Sequence, residues 1–169
     1  MNRKTLATLA ITGYIGSIVL ANWMTATFGL VGIGFGLAVT AGTFAAGAAL
    51  ILRDAVQQTA GKVTVLAAIL VGIVMSYFLS DPFIAIASAV AFAASEFVDW
   101  GVYSRVRGRS IALAVLVSSI ISAPIDTVLF LHIAGFGVTW EAVLGQFIVK
   151  TLMAAAAAGW LAWRERRNG

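Results

Sequence analysis

The sequence predicts an all-α integral membrane protein that crosses the bilayer with six transmembrane helices and has both termini in the cytoplasm. Of its 169 residues, 61% are hydrophobic and 11% are charged, whereas soluble domains average roughly 45–50% apolar and about 25% charged residues. The 48 residues from Thr5 to Leu52 contain no charged side chain, and about 20 apolar residues make one transmembrane helix. So few polar side chains cannot cover a soluble domain of this size.

The charge-free stretch predicts the first two helices, because it is too long for one span. The turn between them is expected within Asn22 to Gly36. Four further apolar stretches cover residues 63–79, 83–98, 111–133 and 139–163. Six helices use nearly the whole chain, so residues 1–169 are expected to form a single transmembrane domain.

Basic residues lie at alternate ends of the proposed helices and set the orientation of the chain. Lys and Arg in short loops stay on the cytoplasmic side of a membrane. These residues are Arg3, Lys4, Arg53, Lys62, Arg105, Arg107, Arg109, Arg164, Arg166 and Arg167. All of them fall on one side, whereas the opposite side holds Asp81 and Glu141. An alternative interpretation makes residues 1–21 a cleaved signal peptide, and the charges do not decide between the two.

The composition disfavours most kinds of catalysis and metal chemistry. The chain has no cysteine and one histidine, His132, so no thiolate nucleophile or zinc centre is expected. No Ser-His-Asp set, HExxH string or P-loop occurs. We expect no catalytic residue, no metal and no cofactor. The basic residues mark topology rather than one binding face, so no nucleic acid is expected as a partner.

Small residues are concentrated in three places. Gly29, Gly32, Gly34 and Gly36 are interpreted as a flexible outer turn or a loosely packed start of a helix. Residues 41–49 and 154–159 form small-residue faces in the second and sixth helices. Such faces let helices approach closely, and the same small side chains would also suit the wall of a substrate path.

Asp126 and Lys150 are the most informative residues, because each lies well inside an apolar stretch. Each charge would cost about 2.5–3.5 kcal/mol at the centre of a membrane helix, so it needs a partner or water. Their depths in the fifth and sixth helices differ by only about 5 Å, which predicts that they pair. The pair either fixes the helix register or marks a substrate route. Pro124 removes a backbone donor beside it.

Three further acidic residues lie at or inside the proposed spans. Glu96 and Asp99 are three residues apart on one face of the fourth helix, where two carboxylates need water, a proton or a cation. Asp99 either pairs with Arg105 at the cytoplasmic interface or joins Glu96 in a site. Asp54 at the inner end of the second helix is either interfacial or the floor of a cavity.

Four blocks of the chain, in order, resemble the queuosine precursor transporter family, also called the vitamin uptake transporter family. They are Ala41-Gly42-Thr43-Phe44 with Leu52-Arg53-Asp54, then Ser95-Glu96-Phe97-Val98-Asp99 with Val102-Tyr103-Ser104-Arg105, then Ile125-Asp126-Thr127-Val128-Leu129-Phe130, and Val149-Lys150-Thr151-Leu152. Asn22 is similar to an asparagine in the family's first helix. The blocks span about two-thirds of the chain.

The resemblance implies a multi-pass protein of the inner membrane that imports a 7-deazaguanine-type queuosine precursor. Its substrate-binding residues are then expected among Asn22, Asp54, Glu96, Asp99, Asp126 and Lys150. Glu96 suits the N–H edge of a purine-like base, and Lys150 or Asn22 suits its carbonyl. Phe92, Trp100 or Phe130 would cover the ring.

Two other functions remain open at the level of the sequence. One is a small-molecule (vitamin-like) binding membrane subunit that needs an energising partner. The other is a structural protein whose small-residue faces bind other helices. The sequence leaves open whether the partners include a second copy in a homodimer or an energising protein, besides the lipid bilayer and a small-molecule substrate.

Overall fold

The computed structural model describes residues 2–168, except for the side chains of Arg3, Asp54, Leu161, Arg164, Glu165, Arg166 and Asn168. The described chain contains six helices and one pair of short strands. In chain order these are α1 (Arg3–Phe28), β1 (Leu30–Gly34), β2 (Leu37–Thr40), α2 (Thr43–Ala60), α3 (Lys62–Leu79), α4 (Pro82–Val106), α5 (Ile111–Ile133) and α6 (Trp140–Asn168). Six helices are present, as predicted, whereas six membrane spans and cytoplasmic termini stay predictions.

Five of the six helices are long and apolar enough to cross a membrane: α1, α3, α4, α5 and α6. Their apolar side chains stand outward, as in Val63, Phe78 and Phe97, which are 77–81% exposed. In a membrane those faces meet lipid instead of water. The exception is α2, because the second half of its 18 residues carries Arg53, Asp54 and two glutamines.

Polar side chains cap the starts of helices α4 and α5. The Asp81 carboxylate accepts hydrogen bonds from the backbone N–H groups of Phe83 and Ile84, both at 2.9 Å, and so caps the start of α4. The Ser110 hydroxyl accepts from Leu113 N–H at 3.4 Å at the start of α5. These caps satisfy N–H groups that have no partner inside a helix.

A β-hairpin, not a flexible turn or a helix start, connects α1 to α2, so the interpretation of the glycine string was wrong. Strands β1 and β2 pair through a two-residue loop, Phe35-Gly36. Both loop residues have positive φ, 55° and 73°, as the tight type I′ hairpin turn requires. The β-branched residues Val31, Ile33 and Val39 favour strands, and Gly36 adopts the positive φ of the loop without steric cost.

The chain forms two compact units, the first being residues 1–31 with 40–86. In this unit α1 packs against α2 and α3, and the three helices enclose a core. The core residues are Ala10, Tyr14, Ala49, Val56, Val65 and Ala68. Gly72 of α3 lies directly against Ile18 of α1, so small side chains allow the close approach that the sequence predicts for helix faces.

The second unit comprises residues 32–39 and 87–169 and therefore contains most of the hairpin, α4, α5 and α6. Helices α5 and α6 pack along each other. Strand β2 lies on α6, where the carbonyl oxygen of Ala38 abuts Gly145. The single-domain organisation expected from the sequence stays a prediction.

Candidate functional site

A polar cluster joins α5 to α6 in the second unit. The Lys150 ammonium donates to Asp126 Oδ2 at 2.6 Å and to Thr127 Oγ1 at 2.9 Å. Asp126 and Thr127 are consecutive on α5, and Thr127 is fully buried. The predicted pairing of Asp126 with Lys150 is thus confirmed, and Thr127 is a partner that the sequence reasoning missed.

The cluster lies well inside both helices. Asp126 is seven residues from the end of α5 at Ile133, and Lys150 is ten residues from the start of α6 at Trp140. At ~1.5 Å per residue these positions are about 10 Å and about 15 Å along the two helices. Both charges are therefore at membrane depth, where an ionised side chain is costly unless it is paired.

The ion pair is sheltered but retains hydrogen-bonding capacity. The side chains of Lys150 and Asp126 are 13% and 27% exposed. An ammonium has three N–H donors, and two of them are used by Asp126 and Thr127. Within the described part of the chain, the third proton and the second carboxylate oxygen of Asp126 have no partner. The neutral pair thus offers one donor and one acceptor.

Two features of α5 shape the surroundings of the cluster. Phe130, one turn after Asp126, is buried and its ring lies 6.3 Å from that of Phe136. Pro124 lies inside α5, which continues through it as one helix. Since proline has no N–H, the carbonyl four residues earlier loses its usual helical donor. A buried aromatic ring and a carbonyl without its usual helical donor thus lie on α5 within two turns of Asp126.

Glu96 and Asp99 lie on α4, also in the second unit, and both are partly buried. Ser95 beside them is buried and donates to the Phe92 carbonyl at 2.9 Å. Arg105 donates to the Gly101 carbonyl at 2.9 Å. In the part of the chain that the structure describes, Arg105 forms no ion pair with Asp99.

The remaining candidates belong to the first unit. Asn22 on α1 is only 3% exposed, and its amide nitrogen has no hydrogen-bond partner among the described residues. One turn later Thr25 accepts a hydrogen bond from the Gly42 N–H at 3.2 Å. Asp54 lies in α2, but its side chain is outside the described residues.

Gln146 is a polar residue that the sequence reasoning missed. It is 1% exposed, and its amide nitrogen has no partner among the described residues. Gln146 lies four residues before Lys150, so both residues lie on one face of α6. This spacing is the sequence feature by which Gln146 could have been identified as a candidate. Across the described residues, no group of three His, Asp or Glu side chains is placed to hold a metal ion.

Comparison with known proteins adds one positive finding. A family model described as "Putative vitamin uptake transporter" matches residues 76–163, just over half of the chain. The matched segment contains Glu96, Asp99, Asp126 and Lys150. No curated protein and no solved structure matches the chain.

Proposed function

We propose that this chain, which belongs to the vitamin uptake transporter family, imports a 7-deazaguanine-type precursor of queuosine. Queuosine precursor transport is the known activity of this family. The family and the five membrane-capable helices make the chain a multi-pass membrane transporter of a small molecule. The specific cargo and the placement in the inner membrane are the proposal.

The observation that carries the proposal is the polar cluster of Asp126, Thr127 and Lys150. A guanine-like edge presents N–H donors beside a carbonyl acceptor, and the cluster offers a complementary acceptor and donor. The free proton of Lys150 would bind the carbonyl, and the second oxygen of Asp126 would accept from an N–H group. In a dry site, each unmatched polar group would cost about 1–3 kcal/mol.

Further residues of the second unit are candidates for the proposed site. Glu96 is the second candidate acceptor for the N–H edge, with Asp99 three residues away on the same helix. Phe130 is the best candidate to cover the ring, because it is buried one turn from Asp126, whereas Trp100 is 64% exposed. Asn22 belongs to the first unit and stays a candidate substrate-binding residue from the sequence; its buried amide nitrogen has no partner among the described residues. Asp54, also in the first unit, stays a candidate substrate-binding residue because of its position in the sequence alone.

Uptake of the labelled base 7-deazaguanine into cells that lack their own importer tests the proposal. Cells expressing the chain should accumulate the label, and an excess of unlabelled base should compete. Feeding a 7-deazaguanine precursor that already carries a carbon substituent at C7 should restore queuosine in tRNA. Equal accumulation with and without the chain, at verified membrane expression, would overturn the assigned cargo. The control is a strain that carries the empty vector.

A membrane subunit that binds the base and needs an energising partner is the second candidate function. The basic loop around residues 105–109 favours it, because Arg105, Arg107 and Arg109 are all exposed and available for docking. The sequence has no P-loop, so ATP would enter only through a partner. Transport by the purified chain alone in liposomes would eliminate this candidate.

A further inference from the structure

We infer that Gln146 is a specificity-determining residue that binds the exocyclic carbonyl of the substrate base together with Lys150. The inference rests on the proposed function, because it names a further residue of the same site. It concerns a side chain that lies outside the ion pair and outside the sequence-based candidates.

The starting observation is a buried donor without an acceptor. Gln146 is 1% exposed, yet its Nε2 has no hydrogen-bond partner among the described residues. Buried polar groups in proteins are nearly always paired, and an unpaired one lowers stability. A leucine or methionine would fill the same position without that cost. An amide at this position is therefore explained best by a partner that arrives with the substrate.

The backbone around Gln146 leaves little space for bulk water. The preceding residue, Gly145, is in such close contact with the Ala38 carbonyl of β2 that an added Cβ would overlap it. Strand β2 thus lies directly on this turn of α6. Hydrogen bonds gain selectivity in such a dry setting, because a mismatched group finds no water to replace its partner.

The position of Gln146 relative to Lys150 matches the geometry of one carbonyl oxygen. The two residues are four apart on α6, so they share a face with a rise of about 6 Å between them. A carbonyl oxygen between them has two lone pairs. Lys150 has one N–H donor left after its bonds to Asp126 and Thr127, and it would donate to one lone pair of this oxygen. Gln146 Nε2 would donate to the other lone pair.

The test compares two ligands of the same ring system in the full-length protein purified in detergent. The ligands are 7-deazaguanine and 2-amino-7-deazapurine, which lacks the exocyclic carbonyl. In Gln146→Met the donor is lost at nearly constant volume. We expect this variant to bind 7-deazaguanine about 10- to 100-fold more weakly, since each tenfold corresponds to ~1.4 kcal/mol. Its affinity for 2-amino-7-deazapurine should stay within about threefold of wild type.

Two further measurements separate recognition from folding. Gln57→Met, which changes an exposed glutamine of α2, should leave both affinities unchanged. Without ligand, Gln146→Met should melt at or above the wild-type temperature, because it removes an unpaired buried amide. Gln146→Glu, which replaces the donor with an acceptor, should lose 7-deazaguanine binding at least as strongly, so the assignment is tested even if the Met variant fails to fold.

The outcomes distinguish this inference from the proposed function. If wild type binds neither base, the proposed function falls and the role of Gln146 falls with it. If wild type prefers 7-deazaguanine and both Gln146 variants keep that preference, the proposed function stands and the assignment of Gln146 is wrong.

Discussion

The ion pair of Asp126 and Lys150 gives the sharpest prediction at the scale of single residues. Asp126→Asn or Lys150→Met leaves the other, partly buried charge unpaired inside an apolar helix, which costs about 3 kcal/mol. Each single variant should therefore accumulate poorly in the membrane and melt at a lower temperature in detergent. Glu141→Gln is the matched control, since Glu141 is exposed in the first turn of α6, and it should change stability by no more than about 0.5 kcal/mol.

Full expression and an unchanged melting temperature in either single variant would show that the two charges do not depend on each other. That result would mean that the ion pair between Asp126 and Lys150 does not stabilise the protein. It would leave the 2.6 Å contact between Lys150 Nζ and Asp126 Oδ2 without a consequence for the fold.

The charged residues of the site were predictable from the sequence, and the uncharged ones were not. A charge inside an apolar stretch is rare and costly, so Asp126 and Lys150 stand out, and their depths predict the pair. Thr127 and Gln146 are ordinary in composition, because hydroxyl and amide side chains occur widely in membrane helices. They are singled out only by their burial, 0% and 1% exposed, by the contact of Thr127 with Lys150 and by the unpaired amide nitrogen of Gln146.

At the scale of secondary-structure elements, two glycines fix how closely the chain segments approach. An added Cβ at Gly145 would overlap the Ala38 carbonyl, and one at Gly42 would overlap the Ala21 carbonyl. Because backbone must move in both cases, Gly145→Ala and Gly42→Ala should each destabilise the protein by about 1–3 kcal/mol or more. Thermal unfolding in detergent measures the effect.

Gly16→Ala is the control for these two variants. Gly16 is an exposed residue of α1 with open space around its Cβ position, and alanine is favoured over glycine inside a helix by roughly 0.5–1 kcal/mol. The control should melt at or above the wild-type temperature. Wild-type stability in Gly145→Ala would mean that β2 does not lie on α6 as described.

The helices were predictable and the hairpin was not, for two different reasons. Apolar stretches locate spans well, and the predicted residues 111–133 coincide with α5. The prediction for the fourth helix stopped at residue 98, whereas α4 continues to Val106, because charged residues end an apolar span without ending a helix. The hairpin was missed because glycines at alternate positions hide the period of a strand, and only positive φ at Phe35 and Gly36 reveals the turn.

At the scale of the whole molecule, the absence of cysteine in the chain makes its topology directly measurable. With six spans and cytoplasmic termini, Gly32→Cys and Val138→Cys should react with a membrane-impermeant maleimide in intact cells. Lys62→Cys and Gly108→Cys should react only after permeabilisation. The cysteine-free wild type is the control and should not be labelled.

The same labelling decides whether α2 crosses the membrane. Residues 32 and 62 lie on either side of α2 in the chain, so opposite accessibility means that it crosses an odd number of times. Labelling of both from the same side would contradict six spans and would agree with five. The charged and amide residues in the second half of α2 would then lie at the membrane surface.

The double variant Asp126→Asn with Lys150→Met tests most directly whether the cluster is the substrate site of a transporter. Removing both charges leaves neither unpaired, so membrane expression should recover relative to the single variants. Uptake of labelled 7-deazaguanine, normalised to the expressed protein, should stay at the level of the empty vector. Recovery of wild-type uptake together with expression would contradict the account, because the pair would then only hold α5 against α6.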